Sequence, residues 1–523
     1  MPDRIYTGAR VTTLFAGCPY ADSILVRGER IAAVGTRAEC RETARAGHRE
    51  VDLDGSFVVP GFTDCHIHLA GYARAKHALD LREAASLPEA QGALERYART
   101  LPAGAWVTGG RFDANVWAVG RDLHRTDLDA VSGDHPVALQ NHDGHTTWVN
   151  TLALEALGIT AESADPPGGR IDRDADGPTG VLRETAAYPV RAFTDARADA
   201  LDELLADACT DLLAHGVTSI HDIDGRDTGA AYETLRGRGE LAVRVHQLIS
   251  RSGLDAAIDA GVATGSGDSW LRTGPVKLFS DGALGSHTAA LSQPYEDRPD
   301  DRGVAVLDLP ELTGIACTAA RAGIAIAVHA IGDAANRTVL DAVAEVRRSG
   351  IGPHLRHRIE HAQHIAWADV ERLAPLGVVA SMQPIHCTSD VPLVTALLGK
   401  RPLASYAWAD LAAAGAGVAF GSDAPVETID PVAGIKAATT RTGPAGAAVD
   451  PCSVVTPLQA LRGYTSEAAY ASYEEHDKGR LAPGYLADFV ALDADVTDRD
   501  VAVSGAATPR YTVVGGEVRW ERS

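Results

Sequence analysis

Between residues 58 and 423 the chain alternates eight short apolar runs with helical stretches, and this alternation restricts the fold more than any other feature. The runs are residues 58–64, 217–221, 242–249, 275–279, 324–329, 357–361, 378–382 and 418–423. They are short enough for strands and nearly continuous in apolar character, as strands buried on both faces are. Residues 201–214 are helical in pattern, with Leu204, Leu205, Ala208, Leu212 and Leu213 on one face of a 3.6 period. Eight strands with intervening helices predict an α/β fold, a (β/α)8 TIM barrel.

The gap from residue 65 to 216 is far too long for one crossover helix, so it must hold an inserted α/β subdomain, expected over residues 71–185 near the active-site mouth. Pro166-Pro167-Gly168-Gly169 and Asp174-Ala175-Asp176-Gly177-Pro178 mark exposed turns inside it. Residues 24–35 read as a β-hairpin, and residues 488–493 and 511–518 as two further strands. We expect residues 1–57 and 478–523 to pair as a small β-sandwich, leaving 58–477 for the barrel.

Composition removes several function classes. Lys and Arg total 48 against 70 Asp and Glu, a formal net charge of −22. Phosphate backbones and anionic membranes need a basic surface, so neither nucleic acid nor membrane is an expected partner. No run of about 18 apolar residues is present to span a bilayer. The N-terminus lacks the basic and apolar segments of a secretory signal. Seven scattered cysteines without a C-x-x-C suit reduced thiols in a cytoplasmic protein.

The strongest chemical signal is Asp64-Cys65-His66-Ile67-His68, directly after an apolar run. Residues i and i+2 of a strand share a face, so His66 and His68 point together and are spaced to chelate one cation. His329, His361 and Asp423 each close another of the runs. In a parallel barrel the C-terminal strand ends converge at one mouth, which would bring four histidines and an aspartate around one point. Lys277 lies inside an apolar run of the same barrel, where a lysine is rare unless paired. Two states stay open for it: an ammonium anchored to a carboxylate, or an amine carboxylated by CO2.

The segment Val59-Pro60-Gly61-Phe62-Thr63-Asp64-Cys65-His66-Ile67-His68 resembles the first barrel strand of the amidohydrolase superfamily. The phrases 277–286, 329–333 and 421–426 resemble its amidohydrolase-3 branch, which includes N-substituted formamide deformylases. The resemblance spans nearly the whole chain. It implies one or two divalent metals, with zinc preferred. His66, His68 and Asp423 would hold one, His329 and His361 the second, and an N6-carboxylysine at Lys277 would bridge them. Asp423 would then act as general base and acid while a metal-activated hydroxide attacks the carbonyl.

The segment 140–150 resembles a family stretch that reaches over the barrel mouth. On that likeness His145 would bond the substrate carbonyl or its oxyanion, and Trp148 would line the pocket. Trp117 lies in a segment resembling the substrate-facing loop. His221 and Asp222, at the end of the second run, and Asp281, beyond Lys277, are expected to orient metal ligands. The other histidines, His246 and His386 among them, are assigned to surface or core.

The expected function is hydrolysis of a non-peptide C–N bond in an amide or N-substituted formamide. The same site could open an ester, a lactone or a cyclic imide, because leaving-group preference resides in loop shape. A non-catalytic scaffold is disfavoured by the complete donor set. A homodimer is the default assembly for a soluble enzyme of this size.

Overall fold

Each of the eight runs supplies a strand to one parallel sheet. In chain order these are β1 (Phe62–Ile67), β2 (Val217–Asp222), β3 (Arg244–Ile249), β4 (Leu271–Phe279), β5 (Ile326–Ala330), β6 (His357–His361), β7 (Val378–Met382) and β8 (Gly417–Phe420). The computed structural model describes residues 2–112, 117, 119–141, 146–166, 169–187, 189–190, 201–443, 446–450 and 452–523. Spatial order follows chain order from β1 to β8, and every neighbouring pair is parallel. The ring is sealed just past β8, where the Asp423 amide donates to His66 O (2.7 Å) and the His68 amide to Ala424 O (2.9 Å). The architecture is an α/β TIM barrel.

Residues of β1, β2, β6 and β7 are buried throughout. Helices supply their outer cover. The helix Leu201–Ala214 buries Leu205, Ala208, Cys209, Leu212 and Leu213. The helix Leu309–Arg321 begins where the Asp308 side chain accepts from the Glu311 amide, a cap that satisfies one orphan donor.

The first and last of the predicted runs depart from the observed strands for a backbone reason. The run at 58–64 divides at Pro60-Gly61: Phe57–Pro60 pairs antiparallel with Phe489–Leu492, while Phe62–Ile67 turns into the barrel. Pro60 has no amide for a continuing ladder. Gly61 lies so close to β2 that a Cβ would sit 2.2 Å from Thr218 Oγ1. The last run ends at Phe420, so Asp423 stands on the loop beyond, with φ of 59°.

Both ends of the chain contribute to two further sheets. One orders Arg30–Gly35, Ser23–Arg27, Arg4–Thr7 and Arg49–Asp52; the other carries Phe489–Leu492 between Pro509–Val514 and Phe57–Pro60. Tyr6, Ile24 and Val26 from the first share a buried cluster with Val58, Phe489 and Val513 from the second.

The chain divides into two compact units, one comprising residues up to Gly71 with Asp202–Ser523, the other Tyr72–Leu201. The second has its own six-stranded sheet, running from Gly169–Asp174 to Leu79–Asp80. Its core holds two tryptophans considered for the pocket. Trp117 and Trp148 were expected to line a substrate pocket, but both are buried in this core, 4% and 1% exposed. Trp117 stacks on Phe112 at 5.2 Å and donates its indole N–H to Ala84 O, while Trp148 donates to His124 O. With their rings packed and their indoles bonded to backbone, they are structural anchors. His145 lies outside the described residues.

Among the described residues no helix is long and apolar enough to cross a membrane. All seven cysteines are free thiols.

A buried ion pair ties the barrel to the C-terminal strands. Arg244 of β3 grips both oxygens of Asp488, at 2.6 and 3.0 Å, and Gly515 N donates to the same carboxylate. Both side chains are at most 5% exposed. Breaking a buried pair strands a charge and costs about 3–5 kcal/mol. Asp488→Ala is therefore expected to lower the urea unfolding midpoint strongly, whereas an unchanged midpoint would show that the pair contributes nothing.

Candidate metal centre

The H-x-H pair sits where β1 ends. His66 is fully buried and His68, just past the strand, is partly open. Asp64 shapes this end, with Oδ1 accepting from the amides of His66 (3.1 Å) and Ser422 (3.0 Å). Gly421 allows the approach, since a Cβ there would lie 2.5 Å from His66 N. His361 (φ 72°), Ala362 (φ 45°) and Asp423 (φ 59°) are left-handed. Such backbone is uncommon for residues with a Cβ and clusters at functional sites, where the surrounding structure maintains it.

His66, His361 and Asp423 form one donor group, with their ligand atoms all within 4.8 Å of one another. Asp423 Oδ1 lies 3.3 Å from His66 Nε2 and 3.6 Å from His68 Nε2. The rings of His66 and His361 are 4.8 Å apart, and those of His361 and His329 are 4.6 Å apart. His329 is oriented differently from the rest, because its Nε2–H donates to Gly282 O at 3.1 Å.

The outer nitrogens of three of these rings are held by acceptors. His66 Nδ1–H donates to Glu360 Oε2 (2.6 Å), His68 Nδ1–H to Asp224 Oδ1 (2.7 Å) and His361 Nδ1–H to Gln383 Oε1 (2.7 Å). A carboxylate or amide oxygen can only accept, so each Nδ1 keeps its proton and each Nε2 presents a lone pair inward when the ring is neutral. This is how metal-binding histidines are oriented. His66 Nε2 is buried without a hydrogen-bond partner, and so is Lys277 Nζ. Orphaned buried nitrogens are costly unless something satisfies them. Imidazole nitrogens with one carboxylate oxygen suit a divalent cation of the zinc type, so the residues fit the group that the sequence implies.

The electrostatics favour neutral rings at His361 and His329, whereas, against its burial, the hydrogen bond to Asp224 raises His68. Burial holds His361 well below the usual histidine value, with His329 adding to the effect, and takes His329 down to about 3. Burial opposes ionisation of Asp423, yet the His66 and His386 rings hold it well below the usual carboxylate range. Burial brings Lys277 down to about 8, against the pull of Glu360 and Asp423.

Glu360 is itself clamped. Arg358 donates to both of its oxygens (2.8 and 3.0 Å), to Cys65 O (2.7 Å) and to Ser381 Oγ (3.0 Å), and Arg358 Nη1 lies 2.9 Å from His221 Nδ1. By hydrogen bonds His221 reaches His66 through Arg358 and Glu360. Asp222 accepts from the amides of Asp224 and Leu69, from Thr228 Oγ1 and from the Tyr232 hydroxyl, fixing the turn that carries Asp224 to His68. Asp281 accepts from the amides of Ala290, Ile331 and Gly332 and lies 3.7 Å from His329 Nε2.

Sequence reasoning missed Arg358, Glu360, Asp224, Gln383 and His386. For Arg358 and Glu360 a signal existed: charges two residues apart in an otherwise buried strand must share the interior face. Asp224, Gln383 and His386 stand on loops or a short helix beyond strand ends, where no periodicity marks them. His386, assigned to surface or core, is 3.1 Å from Asp423 Oδ2.

Comparison with known proteins agrees with this geometry. The profile of the amidohydrolase family matches residues 49–519. The chain is 31% identical over 540 residues to the N-substituted formamide deformylase of Arthrobacter pascens, covering 100% of this chain and 99% of that one. It is 33% identical over 536 residues to the protein LONG AFTER FAR-RED 3 of Arabidopsis thaliana, covering 98% and 91%. An uncharacterized metal-dependent hydrolase from Pyrococcus furiosus superposes with a TM-score of 0.81 at 29% identity, covering 95% of this chain and 100% of that structure. The chain belongs to the amidohydrolase family and is a hydrolase of its amidohydrolase-3 branch.

Proposed function

We propose that this protein hydrolyses N-substituted formamides to formate and the free amine, at a zinc centre held by His66, His361 and Asp423 with His68 beside them. The observation that carries the reading is the convergence of these donors around a buried, unpartnered His66 Nε2. The full-length likeness to a formamide deformylase supports the substrate class. A divalent cation at this site supplies Lewis acidity, which brings the pKa of a water to about 7 and polarises a carbonyl.

The remaining chemistry belongs to the chain. Asp423 accepts a proton from the attacking water and returns it to the leaving nitrogen as the C–N bond breaks. Glu360, Asp224 and Gln383 hold the imidazoles in one tautomer. Lys277, buried with no hydrogen-bond partner, is poorly suited to remain an ammonium. In this reading its amine adds CO2 and loses a proton, giving a carbamate whose anionic oxygens, with His329, would help to hold a divalent metal. Phe279, on the same face of β4 as Lys277, is 47% exposed, and its ring centre is 4.9 Å from Lys277 Nζ and 5.4 Å from the His329 ring. An aromatic face left open beside the donors suits an apolar N-substituent.

Three outcomes test this reading. Purified enzyme should release amine from N-substituted formamides, lose that activity on chelation and regain it with zinc; cleavage insensitive to chelation would overturn the mechanism. Native mass should include one added CO2 per chain, lost in Lys277→Ala. Phe279→Ala should raise KM about tenfold, roughly 1.4 kcal/mol, for N-benzylformamide and far less for unsubstituted formamide. Equal effects on both substrates would remove Phe279 from the pocket.

The clamp on His66 is testable separately. Glu360→Gln should weaken zinc affinity about 10–100-fold, read by competition with a chromogenic chelator. Unchanged affinity would show that His66 needs no outer carboxylate.

A further inference from the structure

The helix Pro384–Ser389 starts directly after β7 and carries His386 toward the donors. His386 is buried, yet nothing in its sequence setting suggests a role. Its Nε2 is 3.1 Å from Asp423 Oδ2, and its Nδ1 is 3.4 Å from Glu427 Oε1. The same Glu427 oxygen accepts from Ser389 Oγ at 2.7 Å. Both partners of the ring are carboxylates, which only accept from it, so both ring nitrogens donate. His386 is therefore committed on both sides and has no lone pair for a metal.

The two oxygens of Asp423 are consequently divided. Oδ2 is taken by His386, while Oδ1 is turned to His66 Nε2 and His68 Nε2. An aspartate carboxylate turns in a broad well with two equivalent oxygens, so a second contact is needed to fix its plane. The loop that carries Asp423 has left strand geometry, so the β8 ladder does not restrain the side chain.

We infer that His386 is a positioning residue: by donating to Oδ2 it fixes the plane of the Asp423 carboxylate, so that the other oxygen is held facing the metal site, and Glu427 with Ser389 holds the imidazole in place. The inference rests on the metal-dependent reading above. It assigns His386 no contact with substrate or metal. Its predicted effects are on metal retention and on kcat, with KM largely spared.

The test uses the full chain, comparing wild type, His386→Ala and His386→Gln. Each is stripped, reloaded with zinc, titrated with a competing chelator and assayed on an N-substituted formamide, and thermal unfolding of the apo proteins controls for folding. Wild type should take up zinc. His386→Ala should lose zinc at about 10–100-fold lower chelator concentration and lose kcat by a similar factor, with KM within about twofold. His386→Gln, whose amide can still donate toward Oδ2, should recover part of both losses, and this comparison stands even if the alanine variant folds poorly. Wild-type zinc retention and kcat in His386→Ala would overturn the inference while leaving the hydrolase reading intact. Glutamine no better than alanine would also overturn it. A wild type that takes up no zinc would overturn both. If formamide is not cleaved, zinc retention alone decides the role of His386.

Discussion

The organisation of the barrel interior depends on the buried pair Arg358–Glu360. Both side chains are fully enclosed, and their hydrogen bonds reach β1 through Cys65 O and His66, β2 through His221 and β7 through Ser381. A buried ion pair is poor evidence of stability, because well-packed apolar side chains of similar volume often serve as well. Barrel interiors are ordinarily filled with branched aliphatic residues. What an aliphatic filling could not supply is an acceptor for His66 Nδ1–H. The pair is best understood as the device that fixes one imidazole at the barrel mouth, with Arg358 neutralising the carboxylate that does so. Burial alone would favour a protonated Glu360, yet the guanidinium and His66 hold it well below the usual range, so it stays an acceptor.

The seam between β8 and β1 follows the same logic. A barrel must close, and here closure and the donor set share atoms. Asp423 contributes its amide to His66 O and its carboxylate to the histidines. Asp64 joins both sides of the seam by accepting from His66 N and Ser422 N. The left-handed backbone at His361 and Asp423 turns the chain out of strand geometry just where the side chains must face inward. Sealing the barrel thus helps to set the spacing between β1 and β8 donors.

Much of this was legible in the sequence, and the limits have physical causes. Eight apolar runs are read directly as strands, and strand ends of a parallel barrel converge whatever the details, so His66, His68, His361 and Asp423 could be placed together from topology alone. Lys277 stood out because a charge in a buried strand is anomalous. Partners of the second kind depend on three-dimensional placement: Gln383 meets His361 and Asp224 meets His68 only after loops have folded back. Likeness to family segments left Trp117 and Trp148 open between pocket and packing, and both fill the core of the inserted sheet. The division at Pro60-Gly61 is a sterically driven change of sheet that hydropathy cannot register.

Charge accounting links these parts to Lys277. Glu360 is matched by Arg358, and Asp423 is bonded to a His386 ring that donates on both sides. His329 and His361, held neutral by burial, add no charge of their own. A divalent cation entering this set gains good ligands but little uncompensated negative charge. A lysine that stayed an ammonium would oppose it within the same enclosure, where screening is weak. A carbamate at Lys277 would reverse that sign and supply anionic oxygen beside His329, whose Nε2 is turned to a backbone carbonyl. In the proposed reading, carboxylation of Lys277 and loading of the site would therefore be one equilibrium, each anion formed there favouring the cation and each cation bound favouring the anion.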